Sequence, residues 1–236
     1  MGQQTSTAAT PLEVAVAIPA LEAGDHLTRC EFERRYEARP DIKKAELIEG
    51  VVYMPSPVRL ESHAEPHASL VAWLGVYRAA TPGVRLADNA TMRLDLENEP
   101  QPDALLRIDP KAGGRAQRSQ DDYLEGAAEL VVEVAASSAS YDLHEKLRAY
   151  RRNGVQEYLV WRVYDKQVDW FHLLDGEYVH LTPDADGMLR SQVFPGLRLA
   201  VAALLVDDLA TVLAEVQKGI GTPEHAVFVE WLQGKS

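Results

Sequence analysis

Cysteine is nearly missing from this 236-residue chain, in which Cys30 is the only one. A disulfide framework within the chain is therefore impossible, and a zinc site would need mostly histidine and carboxylate ligands. The sequence has no H-E-x-x-H, G-x-S-x-G or Walker-type motif, so zinc proteases, serine hydrolases and P-loop enzymes are without support. The simplest compartment for such a chain is the reducing cytoplasm.

Positive charge is also scarce, because 24 Lys and Arg stand against 36 Asp and Glu and give a formal net charge of −12. This acidity argues against a protein that coats nucleic acid by bulk charge. It leaves room for an enzyme with one local basic surface. It also fits a cluster of carboxylates that needs a cation.

Long hydrophobic runs are absent as well. The longest fall far short of the roughly 18 residues of a membrane span, so we expect no membrane segment. The first residues lack a basic stretch followed by an apolar one, and we expect no secretory signal. Hydrophobic residues make up 46% and charged residues 25% of the chain, which excludes disorder throughout.

The length fits one α/β domain with decorations. Residues 1–24 are small, polar and interrupted by proline, which predicts a flexible arm. We expect the main domain over residues 25–205 and a helical extension over residues 206–236. Helices and strands alternate in the middle and hairpins lie at both ends, which indicates a mixed sheet flanked by helices.

Helix signals occur at several places. Thr28 and Glu31 form a T-x-x-E pattern that predicts a capping box for a helix over residues 30–37. Apolar residues spaced i, i+3, i+4 and i+7 predict an amphipathic helix over residues 65–79. Further helices are predicted over residues 141–152 and residues 201–216, with one more short helix in the tail.

Strand signals complete the pattern. Short apolar stretches around Glu49-Gly50 predict a hairpin of residues 46–48 and 51–54, and Asp175-Gly176 predicts a second hairpin. Strands are also expected over residues 84–87, 91–96, 104–108 and 158–163. The run at residues 130–134 is apolar apart from one carboxylate, as expected for a central strand covered on both faces.

That carboxylate, Glu133, raises a physical problem, since burying an unpaired charge costs several kcal/mol. The group must be protonated, paired or bound to a cation. Asp103 heads another apolar strand after a proline, and Glu46 begins a third. Three acids at strand positions could converge on one divalent ion, and Mg²⁺ prefers a few carboxylates, waters and a substrate phosphate.

A cation is available on the next helix. Asp142, Lys146 and Tyr150 are spaced i, i+4 and i+8, so they share one helix face. A lysine whose helix packs beside the acids could position a water or neutralise charge that develops on a phosphate. Lys146 is therefore a candidate catalytic residue.

The motifs taken together resemble the Uma-type restriction endonuclease family, which is similar to the PD-(D/E)XK nuclease superfamily. The resemblance covers roughly residues 25–205 and depends on the order and spacing of several short segments. It implies a restriction-endonuclease-like core and Mg²⁺-dependent phosphodiester hydrolysis. The segments are ELIEG (46–50), His67, PD (102–103), DDYLEGAAELVVEV (121–134), Ser137-Ser138, D-x-x-x-K-x-x-x-Y (142–150) and GVQEYLVW (154–161).

Carried over by position, Asp103 matches the acid after the proline, Glu133 the second acid and Glu46 the acid from the N-terminal part. The usual lysine two positions after the second acid is absent, because Ala135 stands there. The resemblance suggests that Lys146 has taken this role. Asp103 and Glu133 would then bind the metal with the backbone carbonyl of Val134, and Glu46 would bind a second ion or bind through water.

Simpler interpretations of the same residues stay open. Glu133 could pair with an arginine such as Arg148, and Asp103 could cap a turn. Glu46 could be a solvated hairpin residue, and Lys146 alone would normally be a surface lysine. His67 could contact phosphate or be a polar residue of the first helical turn, and His63 competes with it for the same role.

The sequence therefore favours a Mg²⁺-dependent endonuclease, with Mn²⁺ as a substitute ion, DNA as the substrate and a homodimer as the assembly. Two alternatives belong to other classes. The chain could be an inactive nucleic-acid-binding or assembly module that retains the fold, since an acidic surface weakens DNA binding at physiological salt. It could also be a metal-dependent hydrolase of small phosphate esters.

Overall fold

A computed structural model describes residues 17–55, 57–136 and 138–235. Most of the predicted arm, together with Ser137 of the family motif, lies outside these residues. The division into arm, main domain and extension therefore stays a prediction.

The described residues contain thirteen strands and seven α-helices. The strands are β1 (Glu46–Ile48), β2 (Val51–Tyr53), β3 (Val84–Asp88), β4 (Met92–Arg93), β5 (Ala104–Ile108), β6 (Gln117–Arg118), β7 (Leu124–Glu125), β8 (Leu130–Ala135), β9 (Glu157–Arg162), β10 (Gln167–Leu174), β11 (Glu177–His180), β12 (Met188–Arg190) and β13 (Arg198–Ala200). The helices are α1 (Arg29–Glu37), α2 (Glu65–Ala80), α3 (Ala139–Tyr141), α4 (Leu147–Arg152), α5 (Val201–Leu204), α6 (Leu209–Ile220) and α7 (Pro223–Gln233).

Two π-helical turns extend these helices. Leu60–Ala64 leads directly into α2, and Asp142–Lys146 joins α3 to α4 so that residues 139–152 form one continuous helical segment. π-turns are rare and are frequent at functional sites. Both of these turns border the site described below.

The centre of the molecule is a six-stranded mixed sheet in the order β11-β10-β9-β8-β5-β3. Strands β8 and β9 are parallel, and the other neighbouring pairs are antiparallel. All six residues of β8 are buried, which confirms the prediction of a central strand covered on both faces. The mixed α/β architecture expected from the sequence is therefore confirmed.

The two faces of the sheet have separate cores because side chains alternate along each strand. Val132 and Val134 of β8 face the core formed with α2, α6 and α7, which contains Trp73, Val216 and Leu232. Val131 and Ala135 face the other core, which contains Tyr150 and Tyr158. Glu133 has the parity of this second face, toward α4.

The N-terminal unit packs as a third cluster, in which Phe32 of α1 contacts the β1–β2 hairpin. Its two-residue turn, Glu49 and Gly50, has φ angles of 52° and 74°, which confirms the predicted hairpin. The backbone of Leu47 pairs with that of Glu99 and ties the hairpin to the segment before β5. This contact fixes where β1 meets the central sheet.

Three local predictions are wrong. Thr28 makes no side-chain cap, and the Glu31 carboxylate binds Arg34 and Arg35 and does not complete a capping box. The strand expected over residues 91–96 shrinks to β4, since Leu94 turns back to bond Asn98.

The helix expected over residues 201–216 is divided into α5 and α6. Asp207 adopts a left-handed φ of 59°, and the Asp208 carboxylate accepts the Thr211 N–H to cap the new helix. The short tail helix was predicted correctly and is α7.

Candidate active site

Asp103 and Glu133 are neighbours because their strands are paired. Ala104 of β5 lies opposite Val132 of β8, so Asp103 comes beside Glu133 at the end of β5. The Val134 N–H donates to Asp103 Oδ2 at 2.8 Å, and the Asp103 N–H approaches Glu133 Oε2 at 3.4 Å. Both carboxylates are buried. The prediction that these two acids meet is therefore confirmed.

Lys146 lies among three carboxylates. Its Nζ is 2.8 Å from Glu133 Oε1, 3.0 Å from Glu46 Oε1 and 3.8 Å from Asp142 Oδ1. The lysine is only 4% exposed, so its description as a surface residue is wrong. Asp142 and Lys146 share a helix face as predicted, and the π-turn between α3 and α4 holds them together.

Glu46 reaches this cluster from the hairpin. Its Oε1 accepts the Gln101 N–H at 2.7 Å as well as the Lys146 ammonium. The residue is 5% exposed, so the solvated-hairpin alternative is wrong. Three distant parts of the chain thus meet at one ammonium group.

Burial and charge control the protonation of the cluster. Burial raises the pKa of Glu133 to about 8, against the opposing effect of Lys146. Burial alone would lower the pKa of Lys146, but Glu133, Glu46 and Asp142 together raise it well above its usual value. Lys146 is therefore a permanent cation here.

Asp103 behaves differently from Glu133. Although burial opposes ionisation, hydrogen bonds from His63 and the Val134 N–H and the charge of Lys44 lower its pKa. Asp103 is thus a stable carboxylate at neutral pH. An ionised oxygen ligand beside a second carboxylate suits a hard cation.

Aromatic and histidine side chains complete the surroundings. The Tyr150 hydroxyl donates to Glu133 Oε1 at 3.0 Å. His63 Nε2 is 3.2 Å from Asp103 Oδ2, whereas His67 Nε2 is 2.9 Å from the backbone oxygen of Asp103. The histidine that meets the carboxylate is therefore the one in the π-turn before α2, one helical turn earlier than the histidine of the motif.

The chain is similar to known proteins in sequence and in fold. The family model Uma2, described as "Putative restriction endonuclease", matches residues 30–202. The chain belongs to the Uma2 family. No curated protein matches it.

A solved structure is similar to this Uma2 chain. It is a crystal structure described as "a putative nuclease belonging to DUF820" from Anabaena variabilis ATCC 29413, with a TM-score of 0.58 and 16% sequence identity. The match covers 76% of this chain and 98% of the other. It shows the restriction-endonuclease-like fold, and the family and the fold together support a nuclease.

The donor atoms beside Glu133 decide whether this Uma2 chain has ligands of the kind that Mg²⁺ prefers. Across residues 17–55, 57–136 and 138–235, no group of three or more His, Cys, Asp and Glu side chains could by itself hold a metal ion. Asp103 and Glu133 offer two adjacent carboxylates, and the Val134 carbonyl is next in the chain. Mg²⁺ keeps several waters and is usually bound through only one or two carboxylates, so the chemistry of this pair suits such an ion.

Sequence reasoning missed several contacts. Arg148 does not pair with Glu133, because it binds the neighbouring Glu145 at 3.5 Å. Asp103 does not merely cap a turn, since it accepts the Val134 N–H from the adjacent strand. The donation by Tyr150 follows from the same i, i+4 spacing that places Lys146, and this spacing was the available signal.

No helix in the described part of the chain is long and apolar enough to cross a membrane.

Proposed function

We propose that this protein is a Mg²⁺-dependent endonuclease that hydrolyses phosphodiester bonds in DNA. The single observation that carries the proposal is the contact of Lys146 with Glu133 while Glu133 lies beside Asp103. Two adjacent carboxylates with a buried ammonium are the groups that metal-assisted phosphodiester hydrolysis needs. Membership of the Uma2 family supports it.

In the proposed mechanism, Asp103, Glu133 and the Val134 carbonyl hold the ion. When bound, Mg²⁺ supplies Lewis-acid stabilisation of the charge on the scissile phosphate. Lys146 orients the attacking water and offsets negative charge, with Mn²⁺ accepted as a substitute ion. Glu46 positions Lys146 through its 3.0 Å contact and is available to a second ion, directly or through water.

The test combines cleavage with calorimetry. Asp103→Ala and Glu133→Ala should each abolish Mg²⁺-dependent cleavage of duplex DNA and remove the heat of Mg²⁺ or Mn²⁺ binding. The matched control is Glu129→Gln, which changes a buried acid just before β8 that accepts the Ile108 N–H at 2.8 Å, far from Lys146. This variant should keep both cleavage and ion binding.

Full cleavage by either alanine variant would contradict the assignment of the site. If the unaltered protein bound neither ion, the second candidate would be favoured, which is an inactive nucleic-acid-binding or assembly module. The observation that favours this second candidate is Ala135, which stands where nucleases of the PD-(D/E)XK superfamily usually carry a lysine.

The assembly belongs to the same proposal. Enzymes that cut both strands commonly use a two-fold dimer. Sedimentation of the protein should therefore give the mass of a homodimer, and a monomer that cuts both strands would contradict this part.

A further inference from the structure

The charge of the site creates a problem for a phosphodiester substrate. Three buried acids, Glu46, Glu133 and Asp142, contact a single ammonium group, and a fourth buried acid, Asp103, lies beside Glu133. Even with one of them protonated, the group is negative before an ion binds. A nucleic acid backbone is also negative, so its approach needs positive charge at the edge of the site.

Lys44 is the cation placed to supply this charge. It lies two residues before Glu46, in the segment that leads into β1. Lys44 Nζ donates to Asn89 Oδ1 at 3.1 Å, and the Asn89 N–H donates to the Asp103 backbone oxygen at 3.1 Å. One residue therefore connects Lys44 to Asp103.

The ammonium of Lys44 is available. Among the ion pairs between described residues, none involves Lys44, whereas Lys146 contacts three carboxylates. Its hydrogen-bond acceptor is a neutral amide, which an incoming phosphate can replace at little cost. Asn89 itself holds a left-handed φ of 50° in the turn after β3, a conformation that asparagine tolerates better than most residues.

We propose that Lys44 binds a backbone phosphate of the nucleic acid substrate at the edge of the active site, on the side of β3. This inference rests on the proposed function, since it names how the same site receives its substrate. A contact of this kind is independent of base sequence. It gives an acidic protein a local point of attachment without a basic surface overall.

The chain offers a matched control in the preceding residue. Lys43 has the same charge and is exposed, but its Nζ donates to the Pro40 carbonyl at 2.9 Å, away from Asn89. Lys43→Ala and Lys44→Ala therefore change the net charge equally and differ only in position.

The experiment measures the affinity for labelled DNA and RNA duplexes of one sequence by fluorescence anisotropy, in EDTA, over a series of salt concentrations. Lys44→Ala should weaken DNA binding about fivefold at physiological salt and reduce the slope of log K against log salt by about 0.9, as expected for one lost phosphate contact. Lys44→Arg should restore both values. Lys43→Ala should leave the slope unchanged, and thermal melting should be alike for all variants.

The outcomes separate the two proposals. Equal effects of Lys43→Ala and Lys44→Ala, with tight binding by the unaltered protein, would overturn the role of Lys44 alone. Failure of the unaltered protein to bind either duplex at low salt would overturn the proposed function. Tighter binding of the RNA duplex, with the same loss in Lys44→Ala, would support the phosphate contact and correct the substrate to RNA.

Discussion

The two ends of the parallel β8–β9 pair hold buried acids in very different surroundings. Toward the end of β8, Glu133 contacts the Lys146 ammonium and the Tyr150 hydroxyl. At the opposite end, Glu157 begins β9 and Glu129 directly precedes β8. All three side chains are almost completely buried. The same sheet therefore solves the problem of a buried carboxylate in two ways.

The acids at the opposite end are satisfied by uncharged donors. Glu157 accepts the Ser191 hydroxyl at 2.7 Å and the Gln192 N–H at 2.5 Å. Glu129 accepts the Ile108 N–H at 2.8 Å. Within the described residues neither has a lysine or arginine in ion-pair contact. These carboxylates tie loops to the sheet and have a structural role.

A raised pKa does not distinguish the buried acid at one end of the β8–β9 pair from the buried acid at the other end. Burial raises the pKa of Glu133 to about 8 and that of Glu157 to about 7. What distinguishes Glu133 is a second carboxylate, Asp103, and a permanent cation, Lys146. A buried acid with a perturbed pKa is thus a weak sign of a site until its partners are known.

Removing the cation should have the largest effect on stability. Lys146→Met leaves Glu133 and Glu46 buried without their ammonium partner, and breaking such a buried pair costs about 3 to 5 kcal/mol. Urea unfolding monitored by circular dichroism measures the loss. Arg148→Ala, two residues later, is the control, because its side chain is 55% exposed and its ion pair among the described residues is with Glu145. A loss below about 1 kcal/mol in Lys146→Met would contradict a strong buried ion pair at Lys146.

The buried acid Glu157, at the opposite end of the β8–β9 pair, should make the free energy of unfolding depend on pH. Because the pKa of Glu157 is raised in the folded state, its contribution to stability is fully present below about pH 4.5 and is lost as the pH rises through about 7. Glu157→Gln cannot ionise and escapes this loss. Relative to the unaltered protein, the variant should therefore gain up to about 3 kcal/mol between these pH values.

The measurement is the free energy of unfolding of both proteins across this pH range. Glu129→Gln serves as the comparison, since burial raises the pKa of this acid also. A difference between Glu157→Gln and the unaltered protein that stays constant with pH would show that folding does not raise the pKa of Glu157. In that case Ser191 and Gln192 would be strong enough donors to hold the charge.

The acids of the candidate site could be predicted from the sequence. They could not be distinguished, from the sequence alone, from a buried acid with a structural role. Glu133 interrupts an apolar run, and Asp103 heads the paired strand, so their meeting follows from strand pairing. Glu157 stands beside an equally apolar strand, yet its donors come from Ser191 and Gln192, more than thirty positions away. Side-chain contacts with distant loops leave no local pattern, and the sequence alone could not set this acid apart.

The packing of the helix against the sheet also could not be predicted from the sequence. The spacing of Asp142, Lys146 and Tyr150 predicted a common face, but only the packing against β8 shows that this face meets Glu133. The division between α5 and α6 was missed for a local reason. The sequence over residues 201–216 is apolar on both sides of Asp207 and Asp208, so it predicts one helix. The left-handed turn at Asp207 is accompanied by the cap that the Asp208 carboxylate provides for α6.

The smallest expected effect concerns the hydroxyl groups on Tyr150 and Tyr158, whose rings lie 4.9 Å apart in the same core. Tyr150→Phe removes a donor to Glu133, and Tyr158→Phe removes a donor to the Asp142 backbone oxygen at 3.1 Å. Each should cost about 1 kcal/mol of stability. Only Tyr150→Phe should also slow cleavage, by about fivefold, because Glu133 loses one of the three donors that position it. Equal cleavage rates in the two variants would show that the Tyr150 hydroxyl does not position Glu133.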